Sequence, residues 1–103
     1  MNKRDFEINE VYSFKMNSGE ELVAKVVSET ATQVIVTQPV SVAPGPQGMG
    51  LVPSLFTADH EKKLTINTNN IAIYGLTDEN IRVKYIEATT GIATPTQKKV
   101  ILG

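Results

Sequence analysis

Between Val11 and Ala43, apolar residues recur at every second position in three successive runs. Tyr12, Phe14 and Met16 alternate with polar residues and stop at Asn17-Ser18-Gly19. Leu22, Ala24 and Val26 then share one parity, with Val23, Lys25 and Val27 on the other. Beyond Ser28–Thr32, the residues Val34, Val36, Val40 and Val42 share a parity in which Gln38 is the only polar member. Period-two alternation in β-branched residues marks half-buried strands. The pattern predicts strands over Val11–Met16, Leu22–Ser28 and Gln33–Ala43, with the Asn17–Glu21 turn closing the first two into a hairpin. Pro39 has no amide to donate, so it marks an edge, a bulge or a bend in the third strand.

The second half of the chain is more broken. Pro44–Gly50, PGPQGMG, reads as a loop, because its glycines and prolines continue neither regular structure. Leu51–Ala58 follows as a strand with apolar residues on both parities, and Asp59–Lys63 as a charged turn. In LTINTNNIAIY the apolar parity switches from Leu64 and Ile66 to Ile71 and Ile73. A turn or bulge at Asn67–Asn70 must therefore separate two short strands, and asparagine tolerates left-handed backbone there. Gly75 is expected to end the strands.

Thr77-Asp78-Glu79-Asn80 resembles a helix start, with a capping oxygen followed by acidic first-turn residues. Ile81, Tyr85 and Ala88 then lie at helical spacing, widened by Ile86, and predict a helix within residues 77–90. Ile81, Val83 and Tyr85 also alternate, so a strand is the alternative. Residues 1–10 form a polar lead-in with Phe6 and Ile8 as anchors. Residues 91–103 form a tail ending in Val100-Ile101-Leu102.

With 103 residues the chain makes one domain with a modest core, so association between copies is a natural source of extra stability. Ten basic and 11 acidic residues give a net charge of -1, which argues against a strongly cationic nucleic-acid binder. There is no cysteine, hence no disulfide framework, thiolate metal site or thiol nucleophile. The polar start MNKRDFEINE is unlike a signal peptide, and no apolar run approaches a membrane span. These features predict a soluble, cytoplasmic protein.

The order of strands, with a polar turn between the last two, resembles the Sm-like barrel of the Sm, LSm and Hfq proteins. VYSFKMNSGEELVAKVVSETATQVIV has the layout of the first Sm motif: an alternating strand, a turn glycine, a second strand, a polar loop and a third strand. LTINTNNIAIY is similar to the second motif, with Asn67-Thr68 where the family has Arg-Gly and with Asn69-Asn70 in place. The chain as a whole looks like the small Sm-like proteins of marine T4-like phages, in the GEELVAKV hairpin, the Pro/Gly-rich loop before LVPSLF and the C-terminal helix. It departs from the family at Val23-Ala24, where the second strand usually carries a glycine. It departs again at Glu29, Thr30, Thr32 and Gln33, which replace the family's base-holding loop, and at Asn67, which replaces a base-stacking arginine.

The resemblance implies an all-β fold: a small barrel of five strongly bent antiparallel strands over residues 11–76, with an added C-terminal helix at 77–90. It implies a homo-oligomeric ring of roughly five to seven subunits, built by strand-edge pairing. It further implies binding of single-stranded RNA around the pore, in RNA processing, stability or translational control. A phage protein would do this in the host cytoplasm. The candidate RNA-binding residues are Thr30, Thr32, Gln33, Asn67, Thr68, Asn69 and Asn70. The alternative is a structural or protein-binding ring that has lost the RNA site, favoured by the neutral charge and by Asn67.

Other chemistry is thin. Asp59-His60-Glu61 is the one place for a metal or an acid–base site, yet consecutive turn residues point apart and the chain has a single histidine. The glycine-rich loop lacks the lysine and hydroxyl residue of a phosphate loop. No enzyme activity, cofactor or metal is expected. Tyr12 and Tyr74 are candidate stacking platforms, better explained as core or interface residues. Lys62-Lys63 and Arg82/Lys84 sit among carboxylates as mixed-charge surface, whereas Lys98-Lys99 stands without nearby acids and offers a weak phosphate contact.

Overall fold

The computed structural model describes residues 6–90; the tail with Lys98, Lys99 and Val100–Leu102 lies outside the described residues. The fold is an antiparallel sheet with one helix. Its strands are β1 (Val11–Met16), β2 (Glu21–Glu29), β3 (Gln33–Gly45), β4 (Gly48–Pro53), β5 (Lys63–Asn67) and β6 (Ile71–Leu76). A 3-10 turn, Thr68–Asn70, joins the last two, and α1 (Glu79–Thr90) follows.

The sheet runs β4-β3-β2-β1-β6, and β5 also pairs with β3. β5 lies along Gln33–Thr37 and β4 along Val40–Gly45, while β2 occupies the opposite side of β3. β4 and β5 are thus two lengths of one outer lane, interrupted by residues 54–62. Six strands make five lanes, close to the five bent strands expected. No ladder joins β5 to β6 among the described residues, so the sheet is not closed by hydrogen bonds.

The β1–β2 turn forms as its sequence dictates. Gly19 adopts φ 98°, its amide donates to Met16 O at 2.8 Å, and the Met16 amide donates to Glu20 O at 2.8 Å. A side chain at that φ would meet its own carbonyl, hence glycine. PGPQGMG behaves differently from the expected loop. It is the tip of a hairpin whose strands run to Gly45 and resume at Gly48, with Gly48 at φ 106°. Pro46 sits in the two-residue turn between Gly45 and Gly48, and the prolines within the strands do not break the ladder: Pro44 faces Met49 and Pro53 faces Val40. Both pairs fall in the same phase, where each ring nitrogen points away from the partner strand.

β2 and β3 carry the main irregularities. Val26 pairs with Val36 and Ser28 with Ile35, leaving Val27 as an extra residue. Val23 pairs with Val40 and Lys25 with Thr37, so Ala24 faces both Gln38 and Pro39, and Gln38 takes φ 47°. The bulge at Gln38-Pro39 corrects the reading of β3 as one apolar face. Val34 and Val36 pack with Phe6, Tyr12, Phe14, Leu22, Ala24 and Val26 in the main core. Val40 instead joins Val11, Val23 and Tyr85 in a second core on the other side of the sheet. One inserted residue reverses every later side chain in a period-two strand.

Helix α1 closes that second core, which settles helix over strand at residues 79–90. Asp78 Oδ2 accepts the amides of Asn80 at 3.0 Å and Ile81 at 3.4 Å, so the helix start is where it was expected, with Asp78 as the capping residue and Glu79 as the acid of the first turn. Ile81, Tyr85 and Ile86 face the sheet. Tyr85 is 2 % exposed, and its hydroxyl donates to Thr37 O at 2.9 Å while accepting the Lys25 amide at 3.1 Å. Lys25 and Thr37 are register partners beside the bulge, so the phenol bridges β2 and β3 where their pairing is disturbed.

Of the lead-in, residues 6–10 form a strap on the main core. Phe6 is buried, edge-on to Tyr12 at 5.0 Å and tilted against Tyr74 at 4.7 Å. Its amide donates to Glu29 Oε1 at 2.9 Å, and the Glu7 amide to the Tyr12 hydroxyl at 2.8 Å. Ile8, the second expected anchor, is exposed.

Candidate nucleic-acid interface

The seven candidate residues come from two segments far apart in sequence, and β-pairing brings them together. Gln33 faces Asn67 at the end of the β3–β5 ladder, and the Thr68 amide donates to Thr32 O at 2.9 Å. The turn 30–33 and the turn 67–70 therefore abut. Thr30, Thr32, Asn67, Asn69 and Asn70 are exposed there, with Gln33 and Thr68 half-buried.

Part of this polarity is spent on the backbone. Thr30 Oγ1 accepts the amides of Gln33 at 3.1 Å and Thr32 at 3.3 Å, and the Thr30 amide donates to Gln33 O at 2.8 Å. Its hydroxyl shapes the turn as short polar side chains commonly do. The asparagine turn takes another course from the one expected. It is a single 3-10 turn, with Asn67 extended at φ -75° and no side-chain cap, and none of its asparagines is left-handed. Among the described residues, the side-chain amides of Asn67, Asn69 and Asn70 meet no hydrogen-bond partner and project from an exposed edge. Each offers two donors and a carbonyl acceptor, the inventory needed to read a base edge.

One residue of this surface escaped the sequence reading. Asn17, in the β1–β2 turn, donates its backbone amide to Asn70 O at 2.8 Å and its side-chain Nδ2 to Asn69 O at 2.9 Å. It fixes the 3-10 turn from a third segment. No local signal separates it from any other turn asparagine; only the β1–β6 pairing reveals it.

The two turns themselves are uncharged: no charged residue lies between Glu29 and Asp59 or between Lys63 and Asp78. Their side chains therefore offer amide and hydroxyl hydrogen bonding rather than phosphate neutralisation.

The remaining candidates are placed elsewhere. Tyr12 is in the core, and Tyr74 lies over Phe6 with part of its ring exposed. His60 Nε2 lies 3.1 Å from Leu55 O, and Asp59 Oδ1 accepts the Glu61 amide at 3.0 Å, so both side chains fold their own loop. Among the described residues, no group of three His, Asp or Glu side chains is arranged to hold a metal. No helix there is long and apolar enough to cross a membrane. Arg82 pairs with Glu79 at 2.8 Å on the exposed side of α1, which holds the Glu79 carboxyl below its ordinary range. No protein-family profile matches the chain, and no curated protein does.

Proposed function

We propose that this chain is an Sm-like, ring-forming protein that binds single-stranded RNA through the joined turns 30–33 and 67–70. The observation that carries the reading is the convergence of those turns, tied by Thr68 and Thr32 and braced by Asn17. Asn67, Asn69 and Asn70 supply base-edge hydrogen bonds, while Thr30 and Gln33 set the shape of the adjoining turn. A single uncharged site of this kind binds weakly. A ring repeats it around one opening, and linked weak sites gain affinity through effective concentration.

The test is titration of the full chain with short fluorescent oligo-U and oligo-A at two salt concentrations, beside a native-mass measurement. We expect binding with a shallow salt dependence, since few phosphates are neutralised. The double variant Asn67→Ala/Asn70→Ala should lower affinity about tenfold or more, since a lost site hydrogen bond is worth about 1 kcal/mol or more. Its native mass should stay unchanged. Binding unaffected by the variant would remove the site from these residues.

The same absence of charge favours a second reading, a ring whose partner is a protein. An assembled ring that binds neither oligonucleotide would select it.

A further inference from the structure

The β1–β2 turn holds an asparagine with a chemistry of its own. Asn17 and Ser18 are both exposed, and Asn17 braces the turn 67–70 through Nδ2 to Asn69 O at 2.9 Å. Among the described residues, the Ser18 amide meets no hydrogen-bond partner. An unbonded amide directly after an asparagine can attack that asparagine's side-chain carbonyl, provided its own side chain does not obstruct the approach. Serine is small enough.

The other described asparagines lack that arrangement. The amide after Asn9 is held by Glu7 O at 3.2 Å, that after Asn67 by Thr32 O at 2.9 Å, and that after Asn80 by Asp78 Oδ2 at 3.4 Å. Ile71, after Asn70, donates to Thr68 O. Thr68, Ile71 and Ile81 are also β-branched, which crowds the attacking nitrogen. Asn69 is followed by the bulkier Asn70 inside the 3-10 turn. An exposed turn, a small successor and an unbonded amide coincide at Asn17. Its hydrogen bond to Asn69 O slows the reaction without preventing it, because one exposed hydrogen bond leaves the side chain free on the order of a tenth of the time.

We infer that Asn17 is a deamidation site whose conversion unlatches the turn 67–70. The Ser18 nitrogen attacks Asn17 Cγ and closes a cyclic imide, while Nδ2 leaves with the Ser18 proton as ammonia. Water then opens the imide at either carbonyl and restores the proton to the Ser18 nitrogen, giving aspartate or isoaspartate. Either product removes the donor that holds Asn69 O, because a carboxylate only accepts, and sets a negative charge against that carbonyl. Isoaspartate also lengthens the main chain within a turn closed by Gly19 to Met16 O and by Met16 to Glu20 O, each at 2.8 Å. The modification stands apart from the RNA reading; its effect on binding rests on that reading. The candidate surface thus carries its own timer, released as the protein ages.

The test ages the full chain at mildly alkaline pH, beside Ser18→Ile, whose branched side chain obstructs the attack. Peptide mapping by mass spectrometry should show Asn17 converting ahead of every other asparagine in wild type and retained in Ser18→Ile. Another asparagine converting first, or equal conversion at Asn17 in the two proteins, would overturn the site. Two samples carry the product: Asn17→Asp, and aged wild type separated by ion exchange, with circular dichroism as the control on the fold. In both, amide hydrogen exchange at Thr68 and Ile71 should quicken about tenfold, and affinity for oligo-U or oligo-A should fall by a similar factor. Unchanged exchange would overturn the unlatching. Quickened exchange with undiminished binding would support it and take the RNA site away from this turn. A fresh wild type that binds neither oligonucleotide would remove the RNA reading alone, since mass and exchange report on Asn17 without it.

Discussion

The Tyr85 hydroxyl makes the most quantitative prediction. Tyr85→Phe keeps the ring that packs on Val11, Val23 and Val40 and removes only the oxygen between Lys25 N and Thr37 O. Leaving a buried donor or acceptor unmatched costs about 1–3 kcal/mol. Lys25 and Thr37 are half-buried, so water can replace part of the loss, and a combined cost of about 2 kcal/mol is expected. For a domain of this size that lowers Tm by roughly 8–16 °C. Urea unfolding followed by circular dichroism, at one fixed protein concentration because association would add stability, measures it directly. A variant within about 0.5 kcal/mol of wild type, the ordinary scatter for a neutral surface change, would mean that the bridge contributes nothing.

The same oxygen gives an independent pH signature. Burial pushes the Tyr85 phenol up from 10.0 to about 12, against the pull of its bonds to Lys25 and Thr37. The folded state therefore holds the proton more tightly than the unfolded chain. The stabilisation is complete below pH 10 and is lost as pH rises from 10 toward 12. With those two values, wild type should lose about 1 kcal/mol between pH 9 and pH 11 beyond what Tyr85→Phe loses. Other groups titrate in this range in both proteins, so the difference between the two curves is the quantity to read. Parallel curves would refute the buried, neutral phenol.

Two further predictions concern the main core and the bulge. Phe6→Ala should destabilise by about 3 kcal/mol, the lower end for a buried phenylalanine, since the strap can partly collapse onto Tyr12 and Tyr74; urea midpoints check it. Gln38→Gly should stabilise by about 0.5–1 kcal/mol, because glycine meets no penalty at φ 47° where glutamine does. A loss of stability there would mean that the glutamine side chain itself supports the bulge.

What the sequence disclosed was what is local. The alternation at Tyr12–Met16 and Leu22–Val26, the turn at Asn17-Ser18-Gly19 and the helix start within Thr77–Asn80 each depend on neighbours a few residues apart, and each formed as expected. What depended on the other side of a ladder was hidden. PGPQGMG reads as a loop until the pairing shows Pro44 in the phase that tolerates it and Pro46 in the two-residue turn between Gly45 and Gly48. Leu51–Ala58 reads as a strand, yet its second half lies in the interruption at 54–62 with Leu55 and Phe56 exposed, because apolar content alone does not tell a strand from an exposed loop. The candidate surface was half legible. Its residues could be named from the two turns, but their contact across β3 and β5, and the brace from Asn17, exist only in three dimensions.

The bulge at Gln38-Pro39 explains why these misreadings cluster. On one side of β3 it leaves Lys25 and Thr37 bridged by a phenol, which fixes where α1 docks. Along β3 it sends Val34 and Val36 to one core and Val40 to the other, so one strand serves two layers. On the far side, the outer lane is complete up to Pro53 opposite Val40 and again from Lys63 opposite Thr37; the gap between faces the bulge itself. A straight β3 would allow one continuous outer strand and leave no exit for residues 54–62. A single residue held at positive φ thus sets the helix site, the division of the core and the departure point of Leu55 and Phe56. The irregularity that defeats a period-two reading is the one that gives this sheet its second core and its exposed apolar loop.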